Sequence, residues 1–141
     1  MPRDPAVGLP RLAWRGINRR CPRCGAKAFS SYFTLEERCP GCGLRFEREE
    51  GYWVGSLIIN TIVTFGAFIV VFVGGILLTW PDVPWVAIGV VTITANLVLP
   101  VIFYPRSKTL WSAVEMSWHP LEPHEIEEAL LWSASHPRTK Y

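Results

Sequence analysis

Residues 54–79 read VGSLIINTIVTFGAFIVVFVGGILLT, an uncharged apolar run of 26 residues that decides the fold. A second uncharged run, VAIGVVTITANLVLPVIFY, occupies residues 86–104. A helix needs about 20 apolar residues to cross the hydrocarbon core of a bilayer. The segment between the runs, residues 80–84, contains two prolines and an aspartate, which favour a tight turn. The sequence therefore predicts a transmembrane hairpin over residues 51–105, with helices at about 54–79 and 85–104.

The distribution of charge separates this chain from a soluble domain. Half of its 141 residues are hydrophobic and 18% are charged, which excludes a disordered chain. All fourteen Lys and Arg lie outside residues 51–105, where Asp82 is the single charge. A buried hairpin of a soluble protein is the alternative, but neither run carries a charged stripe. The chain is predicted to be a mainly α-helical membrane protein.

The same charges predict the orientation of the hairpin. Ten Lys and Arg precede the first run, the turn has none, and Arg106 and Lys108 follow the second run. Positively charged flanks stay on the cytoplasmic side, so both termini are expected there. Residues 1–20 lack the apolar run of a signal peptide, and none is expected.

Two copies of a CPxCG pattern, at residues 21–25 and 39–43, precede the hairpin. Four cysteines in two CxxC pairs are typical of a tetrahedral metal site, and the glycine after each pair supplies the positive φ of a tight turn. The pattern predicts a zinc ribbon at residues 17–50, after a basic N-terminal arm at residues 1–16. The predicted ligands are Cys21, Cys24, Cys39 and Cys42.

Three other interpretations of these cysteines compete with the zinc ribbon. Two disulfides are disfavoured because the predicted topology leaves the cysteines in the reducing cytoplasm. A thioredoxin-like redox motif is disfavoured because no βαβ pattern surrounds either copy. Iron in a rubredoxin-type site is the open alternative, because four thiolates suit either metal. Either site is closed, which indicates a structural role when the metal is zinc.

A small β-hairpin is expected to support the metal. Its predicted strands are residues 26–29 and 32–35, with a third at 44–46. So small a core cannot stabilise the ribbon alone, so the metal is expected to contribute much of the folding energy. The predicted core residues are Phe29, Phe33, Leu35 and Phe46.

Residues 17–118 resemble a bacterial family called "domain of unknown function 983". The resemblance rests on the four cysteines, on Gly43, Leu44 and Phe46, and on the hairpin followed by Pro-Arg-x-Lys. The chain departs from the family at residues 51–54 and has a longer C-terminal tail. The resemblance implies a location in the bacterial inner (plasma) membrane and an accessory role in a respiratory or other membrane complex.

The segments at the two ends of the chain predict contacts with lipid. Five arginines with Leu12 and Trp14 in the N-terminal region favour anionic lipid over nucleic acid, because glutamates balance the charge of the ribbon. Residues 106–141 are predicted to hold an interfacial helix over 107–118 and a second helix from Pro123 to about Ser135. The apolar face of the first consists of Leu110, Trp111, Val114 and Trp118. His119, His124 and His136 are expected to be ordinary surface residues.

Small and polar residues predict how the two spans contact each other, since interhelical association in lipid depends on close packing and hydrogen bonds. Pro100 is expected to kink the second helix near Asn96. The predicted lipid-facing residues are Ile58, Ile62, Phe65, Ile69, Phe72, Val90, Leu97 and Val101. The predicted helix-packing residues are Asn60, Thr64, Gly74, Thr92 and Asn96, in stripes that also include Ala67, Val71, Leu78, Gly89 and Leu99.

No catalytic motif is recognisable, so the chain is predicted not to be an enzyme and to have no small-molecule substrate. The predicted function is that of an accessory, assembly or interaction protein. Its expected partners are the lipid bilayer and a larger membrane complex, and nucleic acid is not an expected partner. The alternative is a membrane-tethered electron carrier with iron in the four-cysteine site.

Overall fold

The computed structural model describes residues 8–136 and has four helices in them. The chain forms two compact units. The first, the hairpin unit, comprises Leu57–Tyr104. The second, the ribbon unit, comprises the residues up to Ser56 and those from Pro105. The helices are α1 (Leu9–Ile17), α2 (Val54–Thr79), α3 (Trp85–Trp118) and α4 (Pro123–Ser135).

Helices α2 and α3 are long and apolar enough to span a membrane. The bounds of α2 and the start of α3 coincide with the predicted ones. None of the most apolar stretch of α2 is buried in the molecule, and only 11% of that of α3 is. The core helix of a soluble protein would be mostly buried, so this exposure favours membrane spans.

Helix α3 is longer than predicted and continues to Trp118. The expected separate helix over residues 107–118 is wrong, because α3 passes through these residues without a break. Pro105 is inside the helix and fully buried, as are Ser107 and Thr109. Pro105 removes one backbone donor, but it is buried in the ribbon unit and α3 continues through it.

Of the three polar side chains considered in the hairpin unit, one forms a hydrogen bond from α2 to α3 and two bond within their own helix. The Asn60 amide donates to the Pro100 carbonyl at 3.2 Å. Thr64 donates to the carbonyl of Asn60, and Asn96 to that of Thr92, each within its own helix. Thr92 is buried in the contact.

Gly74, predicted as a close-packing residue, does not lie at the contact. A Cβ atom there would meet nothing within 4 Å, whereas one at Gly75 would be 3.3 Å from the Ile88 side chain. The predicted stripe is also wrong at Leu78, which is 89% exposed. Adjacent residues of a helix point 100° apart, so a stripe predicted from residue spacing alone can select Gly74 when the contact is at Gly75. The predicted lipid-facing residues are exposed, except that Phe72 is half-buried.

The two shorter helices begin with proline at a favoured position. Pro10 lies in the first turn of α1. This helix occupies the second half of the predicted basic arm, residues 1–16, for which no helix was predicted. Helix α4 has the predicted bounds and begins with a capping box, in which Glu122 and Glu125 each accept a bond from the other's backbone. Both helices belong to the ribbon unit.

Candidate metal centre

The two CPxCG segments form two turns of the same geometry, here called knuckles. In the first, the Gly25 N–H donates to the Cys21 carbonyl and the Cys21 N–H donates to the Ala26 carbonyl, both at 2.8 Å. The second knuckle repeats both bonds at the same distance, eighteen residues further along the chain. The closing glycines have φ of +81° and +70°, a region that residues with a side chain rarely adopt. Each repeated motif therefore folds as one preformed two-sulfur clamp.

The knuckles bring the four sulfur atoms together. All of them lie within 4.8 Å of one another. The Cys21 and Cys42 sulfurs are 3.8 Å apart, and those of Cys24 and Cys39 are 3.5 Å apart. Metal–sulfur bonds of about 2.3 Å in a tetrahedron require sulfur separations of about 3.8 Å. All four thiols are free, so the arrangement fits one metal ion held by four thiolates.

The closeness of the four sulfur atoms explains why the cluster suits a cation. A hydrogen bond between the side chains of Cys21 and Cys24 raises the pKa of Cys21 and lowers the pKa of Cys24. The Ala26 N–H also donates to the Cys24 sulfur, which favours its thiolate. Four thiolates this close repel one another, and a bound divalent cation removes that repulsion.

The ribbon around the knuckles has fewer β contacts than predicted. Among residues 8–136 the expected strands are reduced to isolated antiparallel bridges, one of which joins Phe29 to Leu35. Phe46 is buried and lies in the core with Ala28 and Leu44, whereas Phe33 is half exposed. Met116 and Leu121, from the end of α3 and beyond it, complete this core. The ribbon therefore relies on C-terminal residues rather than on a longer sheet.

Gly41, in the second knuckle, lies next to the sulfur cluster. A Cβ atom at this position would be 2.7 Å from the Ala26 Cβ and 3.1 Å from the Cys24 sulfur. The corresponding residue of the first knuckle is Arg23, which is partly exposed. The two knuckles thus share a backbone conformation but differ in their surroundings, and of the two positions only Gly41 is too close to its neighbours for a Cβ atom.

Helix α1 holds the first knuckle through Arg15. Its guanidinium donates to the carbonyls of Pro22 and Arg23 at 3.0 and 2.8 Å. Leu12 is buried on the same helix. Arg15 is one of the arginines predicted to contact lipid, but here it binds the backbone of the first knuckle.

Helix α4 covers the second knuckle. Ala129 is buried where the helix meets the backbone of Gly43. Arg38, just before the knuckle, forms an ion pair with Glu128 of the same helix. The sequence predicted the helix but gave no sign of what it packs against.

Arg48 joins three segments of the ribbon unit. Its guanidinium forms ion pairs with Glu115 of α3 and Glu125 of α4, each at 2.6 Å, and donates to the His119 carbonyl at 3.0 Å. Burial opposes the charge of Arg48, but the two glutamates outweigh it and raise its pKa. Burial likewise opposes ionisation of Glu125, and Arg48 outweighs it and lowers that pKa. From the sequence, Arg48 counts only among the positive charges that predict topology. Glu115, an acidic residue among apolar ones, is the signal in the sequence that indicates a buried cationic partner.

The start of α2 packs against α3 within the ribbon unit. The backbone of Gly55 lies against the Trp111 indole, so that a Cβ atom would be 2.2 Å from the ring. Tyr52 packs on the same indole and is hydrogen-bonded to Ser112. Burial raises the pKa of Tyr52 to about 12, so it is a neutral phenol at physiological pH. These contacts fix the point where the ribbon joins the first candidate span.

Comparison with known proteins decides the family. The family model described as Protein of unknown function (DUF983) matches residues 29–116, more than half of the chain. The chain belongs to this family. The DUF983 match contains the second knuckle, all of α2 and most of α3, while Cys21 and Cys24 precede it.

The resemblance stated from the sequence is therefore confirmed. No curated protein and no solved structure matches this DUF983 chain. Since the family's description assigns no function, the activity has to be inferred from the four-cysteine cluster and the two candidate spans.

Proposed function

We propose that this protein is a non-enzymatic accessory or assembly protein of the bacterial inner membrane, with a structural zinc ribbon on the cytoplasmic side. The observation that carries the proposal is the closed four-cysteine cluster in a unit continuous with two membrane-capable helices. Four thiolates leave zinc no open position for a substrate, which is the pattern of structural sites. The ribbon would then serve as a platform for a larger membrane complex.

The composition of the ribbon unit supports the proposed topology. Residues before α2 and after Pro105 are in one compact unit, joined by the ion pairs of Arg48. The two segments that flank the hairpin then lie on the same side of the membrane. This agrees with two spans, because a chain that crosses twice returns to the side on which it began. The excess of Lys and Arg in these flanks favours the cytoplasmic side.

Metal content tests the structural part of the proposal. Full-length protein purified from membranes in mild detergent, under reducing conditions, should contain one zinc per chain and stay colourless after the reductant is removed. Well under one metal ion per chain would contradict the proposal.

One observation favours a second candidate, an electron carrier with iron. Cys24 is the exposed member of the cluster, and an exposed sulfur offers electrons a short path to a partner. Iron would give the purified protein a visible absorbance that is bleached by a reductant. A coloured, redox-active preparation would replace the first proposal by this one.

Identification of co-purifying subunits tests the accessory role. The tagged protein is isolated from native membranes in mild detergent beside a Cys39→Ser variant, whose ribbon cannot close the metal site. Subunits of one complex should accompany the wild type and be lost from the variant, although both remain in the membrane. Identical sets of subunits from the two would contradict a ribbon-mediated role.

A further inference from the structure

Helix α1 exposes an apolar face. Leu9, Trp14 and Ile17 are 57%, 69% and 44% exposed. They lie within an arc of about 140° at 100° per residue, while Leu12 lies about 130° from the centre of this arc and is buried. Among residues 8–136, α1 therefore has one apolar face that is buried and one that is not covered.

The buried face fixes α1 beside the residues that directly follow the second candidate span. The Thr109 hydroxyl donates to the Gly16 carbonyl at 2.6 Å, and a Cβ atom on Gly16 would be 3.0 Å from the Leu110 Cα. Thr109 follows Tyr104 by five residues of the same helix, a rise of about 7.5 Å. A headgroup layer is about 5–8 Å thick. Thr109, to which α1 is bonded, therefore follows the second candidate span within about the thickness of that layer, measured along α3.

The charge around α1 indicates which surface covers it. Residues 9–27 contain six Lys and Arg and no Asp or Glu. Arg11 is exposed on the helix, next to the apolar face. A cationic segment with an exposed tryptophan is complementary to a lipid surface that carries negative charge.

We propose that α1 is an interfacial helix that inserts Leu9, Trp14 and Ile17 into an anionic lipid leaflet and so holds the ribbon unit on the membrane surface. The inference rests on the proposed function in one respect, that α2 and α3 span the membrane. Tryptophan at the headgroup boundary keeps its indole N–H in the polar layer and its ring in the apolar one. The exposed arc then has the partner that residues 8–136 do not supply.

Photo-crosslinking to lipid tests the inference in the full-length, metal-loaded protein in nanodiscs. A benzophenone amino acid replaces, one at a time, Trp14 in α1, Ile62 in α2 and Leu131 in α4, three apolar residues of matched exposure (69%, 65% and 67%). Ile62 reports insertion of the span, and Leu131 reports adventitious lipid contact. The nanodiscs contain phosphatidylcholine alone or mixed with phosphatidylglycerol, and lipid adducts are measured by mass spectrometry.

We expect lipid adducts at positions 62 and 14 and only background at 131. Adding phosphatidylglycerol should increase the adduct at position 14 about fivefold, the effect of one cation near an anionic surface. Adducts at 62 with only background at 14 would overturn the inference and leave the proposed function intact. Absence of adducts at 62 would overturn membrane insertion itself. An adduct at 14 that does not depend on lipid charge, or an equal one at 131, would overturn the anionic interfacial helix.

Discussion

The backbone of Gly43 touches the backbone of Ala129: a Cβ atom on residue 43 would be 2.2 Å from the Ala129 carbonyl oxygen. Gly43 closes the second knuckle, and Ala129 is in the middle of α4. No side chain fits between them. The docking of the C-terminal helix therefore depends on the shape of a metal-binding turn.

Replacing Gly43 should harm the protein more than replacing Gly25, its counterpart in the first knuckle. Both have positive φ, and a side chain there costs about 1–2 kcal/mol. The nearest atom to a Cβ on Gly25 is 3.4 Å away, on the flexible Arg15 side chain. Gly43→Ala should cost about 2–5 kcal/mol in all, since overpacking adds to the strain. Thermal unfolding and hydrogen exchange in α4 measure this, and equal effects of the two variants would contradict the contact.

Arg48→Met should strongly destabilise the ribbon unit. The substitution keeps most of the side-chain volume but leaves Glu115 and Glu125 as two carboxylates without their cation. The side chains of all three residues are less than 20% exposed, so we expect a loss of about 2–4 kcal/mol. Arg38→Met is the matched control, because the side chain of its partner, Glu128, is 54% exposed and should contribute little. Unfolding in urea compares them, and a similar loss for both would exclude the Arg48 cluster as the stronger contact.

The same cluster predicts a dependence of stability on pH. The pKa of Glu125 is lowered in the folded protein from its ordinary value of 4.5. Its contribution is therefore complete above pH 4.5 and is lost as the pH falls through the folded-state value. Wild type should be more stable than Glu125→Gln at neutral pH, and the difference should shrink below pH 4.5. Acid also displaces metal from thiolates in both proteins, so only the difference between them is read. A difference that is constant with pH would contradict the ion pair.

Cys21→Ser should unfold more than the ribbon itself. Loss of one thiolate should abolish tight metal binding, and with it the knuckles against which α1 and α4 pack. We expect proteases to cleave residues 8–50 and α4, while the apolar hairpin stays in the membrane fraction. Ser30→Ala, at an exposed position of the ribbon, is the control and should retain the metal. Protease resistance equal to that of the control would show that the metal does not organise the unit.

Adjacent glycines in α2 give a sharp test of the hairpin. Gly75→Leu should force α2 away from Ile88, at a cost of about 1–3 kcal/mol. Gly74→Leu should be tolerated, because nothing lies within 4 Å of a Cβ atom there. Thermal stability in detergent distinguishes the two. A larger effect at Gly74 would restore the stripe predicted from the sequence and contradict the observed contact.

Local signals predicted most of the elements of this fold. The absence of charge gave the bounds of α2, the proline and glutamates before Ile126 gave those of α4, and the paired CPxCG motifs gave the cysteine cluster. Each of these signals is written in a few consecutive residues. A turn, a cap or an apolar run is specified locally, so it can be found without knowing what lies beside it.

Contacts between distant segments could not be predicted in the same way. Thr109 and Ser112 read as polar surface, yet they are buried because small side chains let helix backbones approach closely. Pro105 reads as a helix end, yet packing carries α3 through it. Arg48 meets Glu125 across 77 residues, and no periodicity records such a pair.

The ribbon unit is assembled from both ends of the chain, and this imposes an order on its synthesis. The cysteines emerge from the ribosome long before Ala129, the residue that covers their second turn. Between the two events both apolar helices of the hairpin unit are synthesised and, in the proposed topology, inserted into the bilayer. A chain that inserts only one segment keeps the Gly43 surface bare. In this topology the ribbon unit is completed only after both segments have been inserted, because the turn at Gly43 waits for Ala129 to cover it.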